Sequence, residues 1–450
     1  MKAAQYVTSA YGEMRPMELR PVSGSIGSAA KLKLGVERQA VEGFGVALTG
    51  SSCYWLSRMP EKERRAFLNN VYGKEGLNLS MARLSIGSSD YSPELYTYDD
   101  GEADPSLRSF SIQRDEDYVI PMIQEVLAVR PELFLYAAPW TPPAWMKTGA
   151  SLCGGHMREK YVDCYAEYFI RFLKAYAEKG IHVQAVNAQN EPETDQAGQM
   201  PACRWNPDTE AHFLMALHEK LQRKQLNTRL WMFDHCYDGW RRVWWMLTEY
   251  PELQKICDAA AFHYYDLSIE KLEELRRAYP DFPWHFTEGG PRINFHYSDD
   301  WCKWGIIISK AFRYGSRSFT GWNLLLDETG GPTIGPFFCG GLATLDSRTG
   351  ELSYSGQAKA FRHFTHFLQP GARVVETKLV GDGPNLYNYP QGDKLLEASA
   401  FRNPDGTLTV VIVNPNGGRC KLQCQMEGIC YYVDLLPESL STVIFEPSAH

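Results

Sequence analysis

The chain has 450 residues, of which 44% are hydrophobic and 22% charged, a balance that excludes intrinsic disorder and coiled coil. Its formal net charge of −8 lacks the positive field that a phosphate backbone needs, which sets nucleic acid aside as a partner. No apolar run approaches the roughly 18 residues of a membrane span, and the opening "MKAAQYVTSAYGEMRPMEL" lacks a signal-peptide core, so a cytoplasmic protein without a membrane partner is expected.

In chain order, residues 1–40 hold two strand-like runs, "LRPVSG" and "AAKLKLGVERQAVEG". From residue 41, short apolar or aromatic runs alternate with longer helical patterns, the mark of repeated βα units. Eight strands are predicted. The first four are "VEGFGVALTG" (41–50), "SMARLSIG" (80–87), "LFLYAAPW" (133–140) and "VQAVNAQNE" (183–191). The others are "RLWMFDHC" (229–236), "AAAFHYYD" (259–266), "PWHFTEGG" (283–290) and "SFTGWNLLLD" (318–327). In the intervening "REKYVDCYAEYFIRFLKAYAEKG", Tyr161, Tyr165, Tyr168, Phe169 and Phe172 form one apolar stripe for packing on the sheet, and Gly180 stops the helix.

Eight strands with crossover helices predict an α/β fold, a (β/α)8 TIM barrel over residues 41–370. A doubly wound sheet is the weaker alternative, because no G-x-G-x-x-G follows the first strand. Past residue 370, period-2 alternation with Asp-Gly and Asn-Gly turns predicts an antiparallel β-sandwich over 371–450. The strands of residues 1–40 are expected to join it, so that the side domain draws on both chain termini. The 11 cysteines are scattered without C-x-x-C and read as reduced thiols; Cys420, Cys424 and Cys430 read as strand positions, since no fourth ligand stands at zinc spacing.

Barrels of this kind gather their chemistry at the C-terminal strand ends. Arg83 and Asp90 follow from strand 2, Trp140 from strand 3, and Asn190 and Glu191 from strand 4. His263 and Tyr265 end strand 6, Glu288 ends strand 7, and Trp322 and Asn323 end strand 8. Two glutamates on separate tips supply what glycosidic bond cleavage needs: an acid to protonate the leaving oxygen and a carboxylate to attack or to activate water. The aromatic content, 12 Trp, 25 Tyr and 21 Phe, suits the C–H faces of sugars. Taken singly, each residue has a structural reading: Glu191 and Glu288 as loop residues, Trp140 as core closure, His263 as a satisfied barrel histidine, and Arg83 as a neutraliser that keeps Glu288 ionised. Their joint position favours chemistry. Neither a metal nor a cofactor is required by this set.

At these residues the chain resembles glycoside hydrolase family 30, the glucosylceramidase-like family, through "GFGVALT", "ARLSIGSSDYS", "APWTPPAWMKT", "NAQNEP", "FHYYD" and "FTEGG". The resemblance implies a barrel with a side β-sandwich, Glu191 as acid/base and Glu288 as nucleophile of a retaining β-glycosidase. It further implies that Asn190 holds the sugar 2-hydroxyl, that Asp90 and Trp140 meet the far hydroxyls, that Trp322 lies under the ring, and that Arg83, His263 and Tyr265 surround the nucleophile. Gly50 and Val46 depart from the family pattern, which commonly has an aspartate and a second glycine there.

A glutamate of ordinary pKa near 4.3 is protonated at pH 7 in about one molecule in 500, a handicap of roughly 3.7 kcal/mol. The site is therefore expected to raise the pKa of Glu191 by repulsion from Glu288, with neutral amides as its other neighbours. Short loops after strands 7 and 8 and a cytoplasmic setting favour exo action on small β-glucosides. The alternatives are a β-xylosidase, a β-fucosidase or other 6-deoxyhexosidase, an endo-β-1,6-glucanase or xylanase, and, outside enzymes, a sugar-binding barrel without catalysis. A nicotinamide enzyme rests only on the glycine-rich "DETGGPTIGP". The expected partner is a small carbohydrate or glycoside, with self-association into a homo-oligomer left open.

Overall fold

The computed structural model of the protein describes residues 2–22, 30–380 and 396–447. Ser23 and Gly24 of "LRPVSG", Ala29 of "AAKLKLGVERQAVEG" and residues 381–395 of the predicted sandwich fall outside them. Eight parallel strands close a barrel. They are β1 (Gly43–Leu48), β2 (Met81–Ser85), β3 (Phe134–Ala138), β4 (Ala185–Asn187), β5 (Arg229–Cys236), β6 (Ala259–His263), β7 (Trp284–Glu288) and β8 (Ser316–Gly321). The first seven predicted runs each contain one of them, and the eighth, from residue 318, overlaps a strand that begins at Ser316. Both faces of these strands are covered, which is why most of them, β8 ("SRSFTG") excepted, are rich in apolar residues.

The interior is stratified. Met81, Tyr136, Ala185, Trp231 and Ala259 fill the lower layer, and the His285 ring stacks on Trp231 at 4.1 Å. Above them lies a buried polar layer of Arg83, Asp234, His263 and Thr287. Trp140, Trp322, Tyr91 and Met200 form an apolar cluster at the mouth. The outer core is made by the surrounding helices. In Val162–Glu178, Tyr165, Tyr168, Phe169 and Phe172 are buried as the stripe predicts, and Gly180 follows with a φ of 78°.

The β-sandwich is a ten-stranded sheet wrapped on its own core. Its order runs Gly12–Glu18, Ala3–Ser9, Ser439–Phe445, Leu408–Asn414, Glu397–Arg402, Arg373–Val380, Ala30–Ala40, Cys420–Met426, Ile429–Leu435, Pro21–Val22. Strands from both ends of the chain therefore interleave. Leu408–Asn414 is buried throughout because Val411 and Val413 face the barrel helices while Leu408, Val410 and Ile412 face the sandwich core. Cys420 and Cys424 belong to that core, and all eleven cysteines are free thiols.

Two expectations fail after strand 8. The predicted run to residue 327 breaks, because β8 ends at Gly321 and Asn323 adopts a φ of 57°, turning the chain off the barrel. The connection is also not short: residues 322–355 carry a separate three-stranded sheet of Leu325–Asp327, Ala343–Leu345 and Leu352–Tyr354. Turn-forming residues mark where a segment bends, not how long it runs before the next helix. Among the described residues no helix is long and apolar enough to cross a membrane.

Candidate active site

The strand tips open into a cavity of about 580 Å³ whose wall includes Asp90, Trp140, Asn190, Glu191, Tyr265, Glu288 and Trp322. Much of the polarity of "NAQNEP" is employed around it, although Asn187 Oδ1 is buried without a hydrogen-bond partner among the described residues. Gln189 Nε2 donates to the Trp140 carbonyl at 2.6 Å and its Oε1 accepts from Trp205 Nε1 at 3.2 Å. The Asn190 amide N–H donates to the Pro139 carbonyl at 2.8 Å, and that of Glu191 to the Asp234 carbonyl at 2.9 Å. Glu191, Phe233 and Asp234 have φ of 50°, 74° and 83°, left-handed values that cost a non-glycine residue of order 1–3 kcal/mol. The Glu191–Asp234 backbone bond ties two of these strained positions together.

Arg83 organises the floor. Its side chain is fully buried, and it donates to Glu288 Oε2, to Asp234 Oδ2 at 2.7 Å and to Asn190 Oδ1 at 2.8 Å. Because a guanidinium only donates, Asn190 must turn its oxygen toward Arg83 and its NH₂ away from it. The other oxygen of Glu288 accepts from Tyr265 OH at 2.9 Å. After Glu288, "GG" permits close approach: a Cβ on Gly289 would lie 2.6 Å from the Tyr264 ring.

Glu191 is held differently. Gln196 Nε2 donates to its Oε2 at 2.8 Å, while Oε1 stands 3.2 Å from His263 Nδ1 and 3.6 Å from His235 Nδ1. His263 Nε2 in turn faces Asp234 Oδ1 at 3.1 Å. The neutral-amide expectation is thereby corrected. Burial pushes the Glu191 carboxyl up, but His235 and His263 outweigh it and hold the group below the usual carboxylate range. Burial opposes the charge of His263, yet Glu288, Asp234 and Glu191 prevail and raise its pKa to about 10. Asp90 is pushed well above the usual range by burial, then by Glu288 and Glu191, and its buried Oδ1 has no hydrogen-bond partner among the described residues.

Trp140 and Trp322 stack at 5.1 Å, with Tyr91 edge-on to Trp322. Most of the expected residues thus converge, with two corrections. His263 is fully buried behind Glu191, so it serves the carboxylates rather than touching a ligand. Asn323 is also fully buried; it accepts from Thr49 Oγ1 at 2.8 Å and lies outside the cavity wall. Asp234 and His235 were absent from the expectation, although they end "RLWMFDHC" as Glu288 ends its own strand. At Gly50, a departure from the family pattern, a Cβ would meet Ser92 Oγ at 2.8 Å, so a larger residue there requires Ser92 to move.

Comparison with known proteins bears on this geometry. Residues 41–368 match the glycosyl hydrolase family 30 TIM-barrel domain and residues 382–443 the family's β-sandwich domain. An endo-1,6-β-D-glucanase of Neurospora crassa is 28% identical, covering 88% of this chain and 84% of its own. A putative glucosylceramidase 4 of Caenorhabditis elegans is 26% identical, covering 99% and 89%. The crystal structure of SrfJ from Salmonella typhimurium superposes with a TM-score of 0.90 at 26% identity over 100% of both chains. An endo-β1,6-glucanase structure gives 0.84 at 25% identity over 99% of each. The chain belongs to glycoside hydrolase family 30 and is a glycoside hydrolase.

Proposed function

We propose that the protein is a retaining β-glycoside hydrolase, exo-acting on small β-glucosides, with Glu288 as nucleophile and Glu191 as acid/base. The observation that carries this reading is the unequal treatment of the two carboxylates. Arg83 and Tyr265 bond both oxygens of Glu288, which favours a fixed anion poised to attack. Glu191 instead shares an imidazole with Asp234, the setting of a group that exchanges protons.

In the first step Glu288 bonds to the anomeric carbon as the glycosidic C–O bond breaks, and Glu191 passes a proton to the leaving oxygen. At neutral pH that proton is held by His263, whose Nδ1 lies 3.2 Å from Glu191 Oε1. In the second step water attacks the glycosyl ester, Glu191 accepts its proton, and Glu288 leaves as a carboxylate. In this reading the Asn190 NH₂, turned from Arg83, donates to the sugar 2-hydroxyl, and the Asp90 oxygen without a partner among the described residues accepts from hydroxyls farther round the ring.

Support for exo action comes from the segment after β8. The Asp90 carbonyl accepts from Ile334 N at 2.7 Å and Thr333 Oγ1 at 3.1 Å, and Ser51 Oγ donates to the Pro332 carbonyl. This ties the segment down behind Asp90, and the residues that follow it, Pro336 to Cys339, line the cavity beside Asp90, where they would limit the sugar subsites at that end. A second reading, endo action on β-1,6-glucan, is favoured by the named activity of the Neurospora and structural relatives. A panel of nitrophenyl β-glycosides, including glucoside, xyloside and fucoside, run beside a linear β-1,6-glucan decides between them; oligosaccharide products with no nitrophenol release would defeat exo action. For the roles, Glu191→Ala should regain turnover of an activated glycoside with azide and yield the β-glycosyl azide. An α-azide would reverse the two assignments.

A further inference from the structure

We propose that Glu191, His235 and His263 form a binding site for a borderline divalent cation of the zinc type, and that an ion held there switches hydrolysis off. One ligand atom from each of the three residues lies within 4.8 Å of the others. A tetrahedral ion with bonds of 2.0–2.1 Å needs donors about 3.3 Å apart. Glu191 Oε1 meets that requirement with His263 Nδ1 at 3.2 Å and nearly so with His235 Nδ1 at 3.6 Å; the three donors span up to 4.8 Å, so the cage needs His235 to turn toward His263.

Two features point to a ligand rather than to packing. His235 Nδ1 is buried and makes no hydrogen bond among the described residues, standing 3.6 Å from Glu191 Oε1, and a buried nitrogen left short of a bond in a native structure calls for an explanation. His263 already has its other nitrogen on Asp234 at 3.1 Å, and an imidazole backed by a carboxylate is the usual arrangement for a metal ligand. Gln196 holds Glu191 Oε2, which leaves Oε1 for the ion. The fourth position opens toward the cavity, because Glu191 and His235 both line it.

Two imidazoles and one carboxylate select zinc, cobalt or copper over magnesium or calcium, which prefer oxygen donors. An ion on Glu191 Oε1 engages the lone pair that would carry the proton. Neither protonation of the leaving oxygen nor deprotonation of water can then proceed. Proton handling and metal binding are thus exclusive uses of the same three groups.

The test reads binding apart from turnover. Co²⁺ added to the full chain should give one equivalent of a tetrahedral visible absorption band, displaced by Zn²⁺. Zn²⁺ should inhibit hydrolysis of a nitrophenyl glycoside reversibly, with EDTA restoring the rate, while equal Mg²⁺ or Ca²⁺ has no effect. His235→Phe, or His235→Asn should the first fail to fold, should remove the band and raise the Zn²⁺ needed for half inhibition, relative to that variant's own rate, by about tenfold or more. Cys236→Ser should leave both readouts unchanged. Absence of the band, equal inhibition of the His235 variants, or loss of inhibition in Cys236→Ser would overturn the proposal. A band without inhibition would keep the cation site but refute its control of the reaction, and would count against Glu191 as acid/base.

Discussion

His263 and His285 stand on neighbouring barrel strands, both buried, and are driven in opposite directions, one to the charged form and one to the neutral. His263, in the upper layer, faces Glu191, Asp234 and Glu288 and is raised to about 10. His285, one layer down, stacks on Trp231 and has Ser318 Oγ at 2.8 Å from its Nδ1. Burial, then Arg317 and Arg229, lower it to about 3. Burial penalises both charges; what differs is whether carboxylates surround the ring. The barrel thus changes from an aromatic, neutral layer to a charged one, and the charged layer is the one that bonds the carboxylates of the cavity wall.

The largest test of that contrast is Glu288→Gln. It should lower kcat on the order of 10⁴-fold or more with the fold retained, and, by removing one carboxylate, move the His263 titration seen by NMR toward the ordinary 6.5. Near-normal turnover would refute the nucleophile assignment. His263→Gln should follow, with kcat/KM down by about 10²-fold. A raised folded pKa contributes stability that is complete below about 6.5 and lost as pH rises through about 10. Denaturation of the Gln variant across that window should therefore show a flatter pH dependence than the parent.

His285→Phe probes the other layer and the other pH window. A lowered folded pKa contributes stability present above 6.5 and lost as pH falls toward about 3, so this variant should flatten the acid limb while hydrolysis persists. A collapse of activity would mean that the lower layer is not insulated from the upper. The smallest effect is expected of Asn323→Gly, which keeps the left-handed φ but drops the bond to Thr49. Stability should fall by about 1 kcal/mol with KM unchanged; a large rise in KM would return Asn323 to the ligand.

The barrel strands could be located from their runs, because most strands covered on both faces are rich in apolar residues and bounded by polar tips; β8, "SRSFTG", was found through its aromatic and Gly-Trp-Asn tip and its start was missed. Glu191 and Glu288 were legible for the same reason. Membership of a tip does not say which way a side chain points, so His263 and Asn323 looked like ligand contacts although both are buried. Asp234 sits between Phe233 and His235, where a single acid in an apolar run reads as an interruption rather than as a strand end. The charge beside Glu191 was illegible for a further reason: His235 and His263 come from the next two strands round the barrel, and only closure of the ring makes them neighbours. The length of the segment after β8 was hidden because its small sheet is built from runs of three residues each.

The pairing of Ala3–Ser9 with Ser439–Phe445, Tyr6 opposite Thr442, carries a consequence for how the molecule is made. The first strand is synthesised long before its partner, and closing a contact across so much chain is slow. The barrel helix Trp301–Arg313, against which Val413 and Leu440 pack at Gly305, must wait for that event with its apolar side bare. Pulse-labelled hydrogen exchange during refolding should find the barrel strands protected before Ser439–Phe445, and simultaneous protection would refute this order. The last strand acts as a latch, and a nascent chain stalled short of it exposes the surface on which it would aggregate.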